Sequence, residues 1–311
     1  MSAHSSEPVS RQRPDRLRST ATIRLRAVGL VIGLGLLVAA VIVIWRRQDI
    51  VAEALAVISR PAPGYLLLLL AGVAANVVLT GLMFSLLMSR YGRVGVMEMQ
   101  ALIAAAALVN YLPLRPGLVG RIAYHQAVNR ILAIHSAKTI LQASALSLAI
   151  VAYLAAAVLL STTFGASHLL MACCLFIPVP LLLAGAAVRH LRVWLLAALL
   201  RYAEVFVWGL RYYAAFKLIG VPVAPHEGLV FACISMIATM VPFVSNGLGL
   251  REWAVGLGSP LLKVGRVEHG ITAELVNRAA EMAVIVALGL IGLAYLAARR
   301  RAPAQDGQGR G

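Results

Sequence analysis

Two short stretches hold most of the polar chemistry of an otherwise strongly apolar chain. The first is Leu112-Pro113-Leu114-Arg115-Pro116-Gly117-Leu118-Val119-Gly120-Arg121; the second runs Val241-Pro242-Phe243-Val244-Ser245-Asn246-Gly247-Leu248-Gly249-Leu250-Arg251-Glu252. Each sets arginine among proline and glycine at the end of an apolar run. A guanidinium offers a rigid fork of N–H donors that suits bidentate binding of phosphate. Arg115, Arg121 and Arg251 are therefore candidates to hold an anion, with Gly117, Gly247 and Gly249 in the same candidate site. Asn246, or Ser245 beside it, can cap the helix that follows the second break. The last apolar run adds Glu274, Arg278 and Glu281 on one helical face, so Arg278 can pair with either carboxylate. Glu252 and Glu281 would orient the arginines or bind a cationic headgroup.

Such residues need an interrupted element to carry them. Proline removes a backbone donor and clashes with the preceding turn, so the helix from Glu98 should stop near Tyr111, and Pro116 can open a second helix. Within lipid, freed backbone groups are tolerated only against protein or a watery cavity. The half-helix after each break would aim free N–H groups and the positive end of its dipole at that cavity, which favours an anion. The two stretches also match in register: Glu98 precedes Pro113 by the same distance as Glu227 precedes Pro242. Paired Gly/Pro-interrupted hydrophobic segments in two halves of a membrane protein point to a transporter's binding site.

The composition fits this setting. The chain has 311 residues, 61% of them hydrophobic and 13% charged, with a mean hydropathy of +0.86, against roughly 45–50% apolar residues in soluble domains. Net charge is +16, but the arginines cluster at span ends and in the tails, as topology signals do, so nucleic acid is not an expected partner. Cys173, Cys174 and Cys233 lie inside apolar runs and read as packing residues. No metal cluster, nucleophile elbow or P-loop is present in the sequence, so neither a cofactor nor an enzyme is expected. His125 and His135, in a basic interfacial segment, read as surface groups.

The charge distribution sets a topology. Residues 1–23 and 302–311 read as disordered cytoplasmic tails around a single integral membrane domain, 24–301. Full spans are expected at Ala27 to Trp45, Gly64 to Met88, Thr139 to Leu160, His168 to Val188, Val193 to Ile219 and Ile271 to Ala298. The run Glu98 to Tyr111 would reach only ~21 Å as a helix against a ~30 Å hydrocarbon core. Glu98 to about Leu132 therefore reads as a re-entrant hairpin from the cytoplasmic side, and Glu227 to about Leu262 as one from outside. The expected fold is an all-α polytopic membrane protein of about six full transmembrane helices plus two re-entrant broken-helix hairpins in an inverted repeat, both termini cytoplasmic. Arg201, Glu204 and Arg211 could pair across helices, and Asn76 and Asn110 could serve as interhelical hydrogen-bond donors and acceptors.

At the two stretches the chain resembles the flippase-like family related to the transmembrane region of lysylphosphatidylglycerol synthases, over about Arg24 to Arg301. The resemblance rests on Leu112-Pro113-x-Arg115-x-Gly117 followed by Arg121, on Val241-Pro242 followed by Gly247-x-Gly249-x-x-Glu252, and on Arg278. The chain departs from the family at Leu118, at Ser245-Asn246, and between Gln142 and Tyr153, which carries no charge. The resemblance implies a bacterial inner-membrane transporter that moves an anionic, aminoacylated or sugar-linked lipid between leaflets. A separate lipid-modifying enzyme is a possible partner, because the cytosolic transferase domain of the synthases has no counterpart here. Rival readings are a membrane-embedded transferase, with a carboxylate such as Glu252 as general base, and a non-transporting scaffold.

Overall fold

The computed structural model describes residues 63–112, 116–165, 167–189, 191–241 and 245–301, and these are helical with no strands among them. The expected first span Ala27 to Trp45, both tails, and Arg115 lie outside the described residues. Ten α-helices follow in order: α1 Pro63–Met88, α2 Val96–Val109, α3 Pro116–Ala127, α4 Ala133–Thr163, α5 His168–Phe176, α6 Pro178–Gly185, α7 Arg192–Leu218, α8 Pro225–Met240, α9 Leu250–Leu261 and α10 Val267–Arg301. Four of them, α1, α4, α7 and α10, are long and apolar enough to cross a membrane. Their apolar residues run round the whole circumference, as in helices meant for lipid or a deep core. Pro63 and Pro225 each sit in a first turn, where a missing N–H costs nothing.

The segment expected as one span from His168 to Val188 comes as two helices of 9 and 8 residues, parted at Ile177. The backbone at Ile177 stays helical (φ −55°, ψ −36°). What breaks is the hydrogen-bond ladder, because Pro178 and Pro180 have no N–H to give. The carbonyl of Cys174, which Pro178 cannot reach, instead accepts from the Tyr153 hydroxyl at 2.5 Å. The neighbouring Leu175 carbonyl accepts from Tyr202.

The helices form two groups of four, α1–α4 and α7–α10, with α5 and α6 between. Each group has the same neighbours. In the first, α1 packs on α2, α2 on α3, α3 on α4 and α4 on α1; in the second, α7 packs on α8, α8 on α9, α9 on α10 and α10 on α7. Contacts between groups follow the same rule: α2 lies on α10 as α8 lies on α4, α1 on α10 as α7 on α4, and α1 meets α7. Exchanging the two groups leaves this set of pairs unchanged. Buried clusters tie the groups together. Met83, Leu87 and Met99 meet Ala197, while Leu154 and Val158 meet Val205 and Val230. Large apolar side chains such as Leu141, Leu170, Leu290 and Ile291 stay exposed, which suits a lipid environment.

Candidate functional site

The two interrupted helices build differently. In the first, α2 ends at Asn110, and the next helix returns so closely that a Cβ on Gly117 would stand 2.2 Å from the Ala106 carbonyl oxygen. Only glycine fits that crossing. In the second, Val241 leaves the helix with ψ 113°, and Asn246, Gly247 and Gly249 all take positive φ, 47°, 67° and 75°. Helix α9 then opens at Gly249 with no side-chain cap. The expected capping by Asn246 is thus corrected: its left-handed backbone makes the turn, and its carbonyl accepts from Arg278 Nη2 at 3.2 Å.

Around the second break lies a buried charge network. Arg251 on α9 pairs with Glu274 at 2.8 Å and with Glu281 at 3.4 Å, and both Arg251 and Glu274 are fully buried. Glu281 also receives Arg211 of α7 at 2.9 Å and the Tyr111 hydroxyl at 3.2 Å. The Tyr212 hydroxyl donates to Glu274. Arg211 also donates from Nε and Nη2 to the Asn277 side-chain oxygen and from Nη1, at 3.1 Å, to Asn76 of α1. Arg278 pairs with Glu252 at 3.0 Å. The expected pairing of Arg278 with Glu274 or Glu281 along its own helix is therefore replaced. Those carboxylates face α7 and α9, where Arg211 and Arg251 take them. Three arginines, 211, 251 and 278, meet three glutamates, 252, 274 and 281, so the network is neutral. A separate pair, Arg201 and Glu204 at 2.8 Å, joins neighbouring turns of α7 rather than two helices.

The first hairpin is not balanced in this way. Helix α3 buries Gly117, Arg121, Tyr124 and His125, a face at helical spacing turned toward α2 and α10. Arg121 is 7% exposed, makes no ion pair among the described residues, and its Nε has no acceptor. Its guanidinium carbon lies 3.8 Å from the centre of the Phe84 ring. Beside it is a cavity of about 450 Å³ bounded by Leu102, Ala105, Gly117, Arg121, Tyr124 and Leu296. Glu98, the carboxylate that Tyr124 reaches, accepts from the Tyr124 hydroxyl at 3.0 Å and pairs with Arg299 at 3.0 Å.

A desolvated cation costs several kcal/mol, roughly, when nothing opposes it. A stacked aromatic face at a desolvated site returns about 2 kcal/mol or more, which offsets only part of that cost. Arg121 is therefore the described cation in the two hairpins with room and electrostatic need for an anion. Arg251 has neither, because two carboxylates already surround it. The candidate residues thus fall into two places: Gly117 and Arg121 line the cavity, while Arg251, Glu252, Arg278 and Glu281 belong to the network, with Asn246, Gly247 and Gly249 forming the turn beside it. Tyr111 links them, since it leaves the end of α2 and reaches Glu281.

Sequence reasoning passed over Tyr124 at the cavity, Phe84 and Glu98 behind Arg121 and Tyr124, and Asn277, Tyr111 and Trp208 in the network. The spacing of Gly117, Arg121, Tyr124 and His125 along one helical face was a usable signal for the first group. His125 is also corrected from a surface group to a buried one: it is 1% exposed, and its Nδ1 bonds the Asn129 side chain at 3.1 Å. His135 stacks on Tyr91 at 4.5 Å. Comparison of the chain with protein-family models, curated proteins and solved structures gives no match.

Proposed function

We propose that this protein is a lipid transporter that moves a lipid with an anionic headgroup between the leaflets of a bacterial inner membrane. The observation that carries the reading is Arg121, a buried cation with no carboxylate partner among the described residues, opening on an apolar cavity between the first hairpin and α10. Its guanidinium binds the lipid phosphate, and the apolar walls from α2 and α10 accept the start of the acyl chains. Leu296 lies within a turn of Arg299, the basic end of α10, so positive-inside charge puts the cavity at the cytoplasmic leaflet. The lipid is loaded there. The Arg251 network acts as the rigid joint that holds the second hairpin against α10 and α7.

The two hairpins are re-entrant from opposite faces in this reading, giving six spans with both termini cytoplasmic. Two observations support it. Helices α2 and α8 have 14 and 16 residues, about 21 and 24 Å at ~1.5 Å per residue, short of a ~30 Å core. The neighbour pattern is also unchanged when the two groups are exchanged, as an inverted repeat requires. A transferase would need a carboxylate facing a substrate, but Glu252 is fully buried against Arg278, so transport is the better reading. The test is reconstitution into liposomes with labelled anionic and aminoacylated phospholipids, following leaflet exchange. Wild-type protein should exchange lipid, and Arg121→Ala should do so at least about ten-fold more slowly while eluting as a folded species. Equal exchange by both would remove the proposal.

A further inference from the structure

Far from Arg121, a second cavity sits where the α7–α8 connection meets the α9–α10 connection. It holds about 350 Å³ between Gly220, Pro222, Lys263, Arg266, His269 and Thr272. Its described lining residues include two full cations and no carboxylate. The floor is firm: Val264 is buried with Ile219, Val221 and Val223, and its N–H bonds the Ser259 carbonyl at 3.0 Å. The His269 Nδ1 accepts from the backbone N–H of Arg266 at 3.2 Å. The imidazole proton is therefore on Nε2, which leaves that nitrogen a donor. Lys263 and Arg266 are exposed and make no ion pair among the described residues.

Position makes these cations informative. Val267 and Arg299 are the two ends of the apolar span in α10, about 48 Å apart at ~1.5 Å per residue, more than the thickness of a bilayer with its headgroups. The end carrying Arg299 to Arg301 has the charge of a cytoplasmic boundary. Lys263 and Arg266 thus lie at the opposite face, where topology signals disfavour basic residues. Lys263 also holds a left-handed backbone, φ 59°, which an L-residue with a Cβ adopts at a cost of about 1–2 kcal/mol. Neither orientation nor turn geometry calls for a lysine there.

We infer that this cavity is a binding site for a phosphate-type anion on the outer face of the protein, held by Lys263, Arg266 and His269 Nε2. The site is independent of lipid exchange through Arg121. Its ligand is the phosphate of an outer-leaflet headgroup or of a soluble phosphate ester; both present the same charged oxygens.

The test is calorimetric titration of inorganic pyrophosphate into full-length protein in nanodiscs of neutral lipid. Wild-type protein should bind saturably, and the Lys263→Gln/Arg266→Gln double variant about a hundred-fold more weakly, since two charge-assisted contacts are lost. Both side chains are exposed, so the variant should unfold at the wild-type temperature. Arg121→Ala should bind as the wild type does. No saturable binding, equal binding by the double variant, or loss confined to Arg121→Ala would each overturn the inference. Repeating the titration with part of the neutral lipid replaced by an anionic phospholipid separates the sources: competition assigns the site to a headgroup, and unchanged binding assigns it to a soluble phosphate ester. Lipid exchange is read in a different assay, so failure here leaves the transport reading standing, and the reverse holds too.

Discussion

The two hairpins each place an arginine on the helix that follows the break, and the two side chains meet opposite surroundings. Arg251 lies between Glu274 and Glu281, with Trp208 5.1 Å away under its guanidinium. Arg121 lies over Phe84 with no carboxylate partner among the described residues. A shared motif therefore does not mean a shared role. What separates them is local charge balance: a neutral network spends its cations on structure, while an unbalanced one leaves a cation to be satisfied by a ligand.

The largest expected effect tests that contrast directly. Arg251→Ala would leave Glu274 and Glu281 buried with fewer counter-charges, and breaking a buried pair by removing one partner costs about 3–5 kcal/mol. Thermal unfolding in detergent should show a sharp loss of folded protein. Arg121→Ala should leave stability unchanged or raised, since it removes a buried cation that no carboxylate among the described residues balances. Equal losses in the two variants would erase the distinction. On transport the order reverses. Arg121→Ala loses a charge-assisted phosphate contact, and leaflet exchange should fall about ten- to a hundred-fold or more; Arg121→Lys should keep part of it, as a point charge without the fork.

Next in size are the glycines. Gly117→Ala would drive a methyl group to 2.2 Å from a backbone carbonyl, overpacking worth about 1–3 kcal/mol. It would also push α3 away from α2, which should lower both unfolding temperature and exchange. Gly120, with nothing within 4 Å of its Cβ position, is the matched control for packing, and Gly120→Ala should leave the unfolding temperature unchanged. A silent Gly117→Ala would mean that the hairpin is looser than its crossing implies.

Much of this arrangement is legible in the chain itself. The breaks follow from Pro113, Pro116 and Pro242 with their glycines, because proline and glycine act locally and need no partner to do so. The long helices follow from unbroken apolar runs. Partner choice does not, because spacing along one helix describes only that helix. Glu274, Arg278 and Glu281 share a face and read as a self-contained set, yet α7 and α9 bring Arg211 and Arg251 to that face and leave Arg278 for Glu252. The turn at Asn246 is ambiguous for a related reason: an Asn before a helix can cap with its side chain or turn with its backbone, and Gly249 downstream takes the N-terminal position. Pro178 and Pro180 could have marked the parting of α5 from α6, but within so apolar a run the hydropathy dominated.

The smallest effect separates the two aromatic faces. Trp208 lies under both Arg211, at 3.9 Å, and Arg251, at 5.1 Å, but carboxylates hold both arginines in place. Phe84 is the aromatic ring under Arg121, and no ion pair among the described residues shares the task of positioning that guanidinium. A cation–π contact of this kind is worth about 0.5–2 kcal/mol. Phe84→Leu keeps the apolar volume and removes the quadrupole, so exchange should slow by about two- to thirty-fold with little change in unfolding temperature. Phe84→Tyr, which keeps the ring, should exchange lipid at close to the wild-type rate. Trp208→Leu should show the converse, losing packing stability while the Arg121 cavity keeps its affinity. If Phe84→Leu exchanges lipid like the wild type, Arg121 is positioned by the walls of its cavity alone, and the difference between the hairpins reduces to the carboxylates.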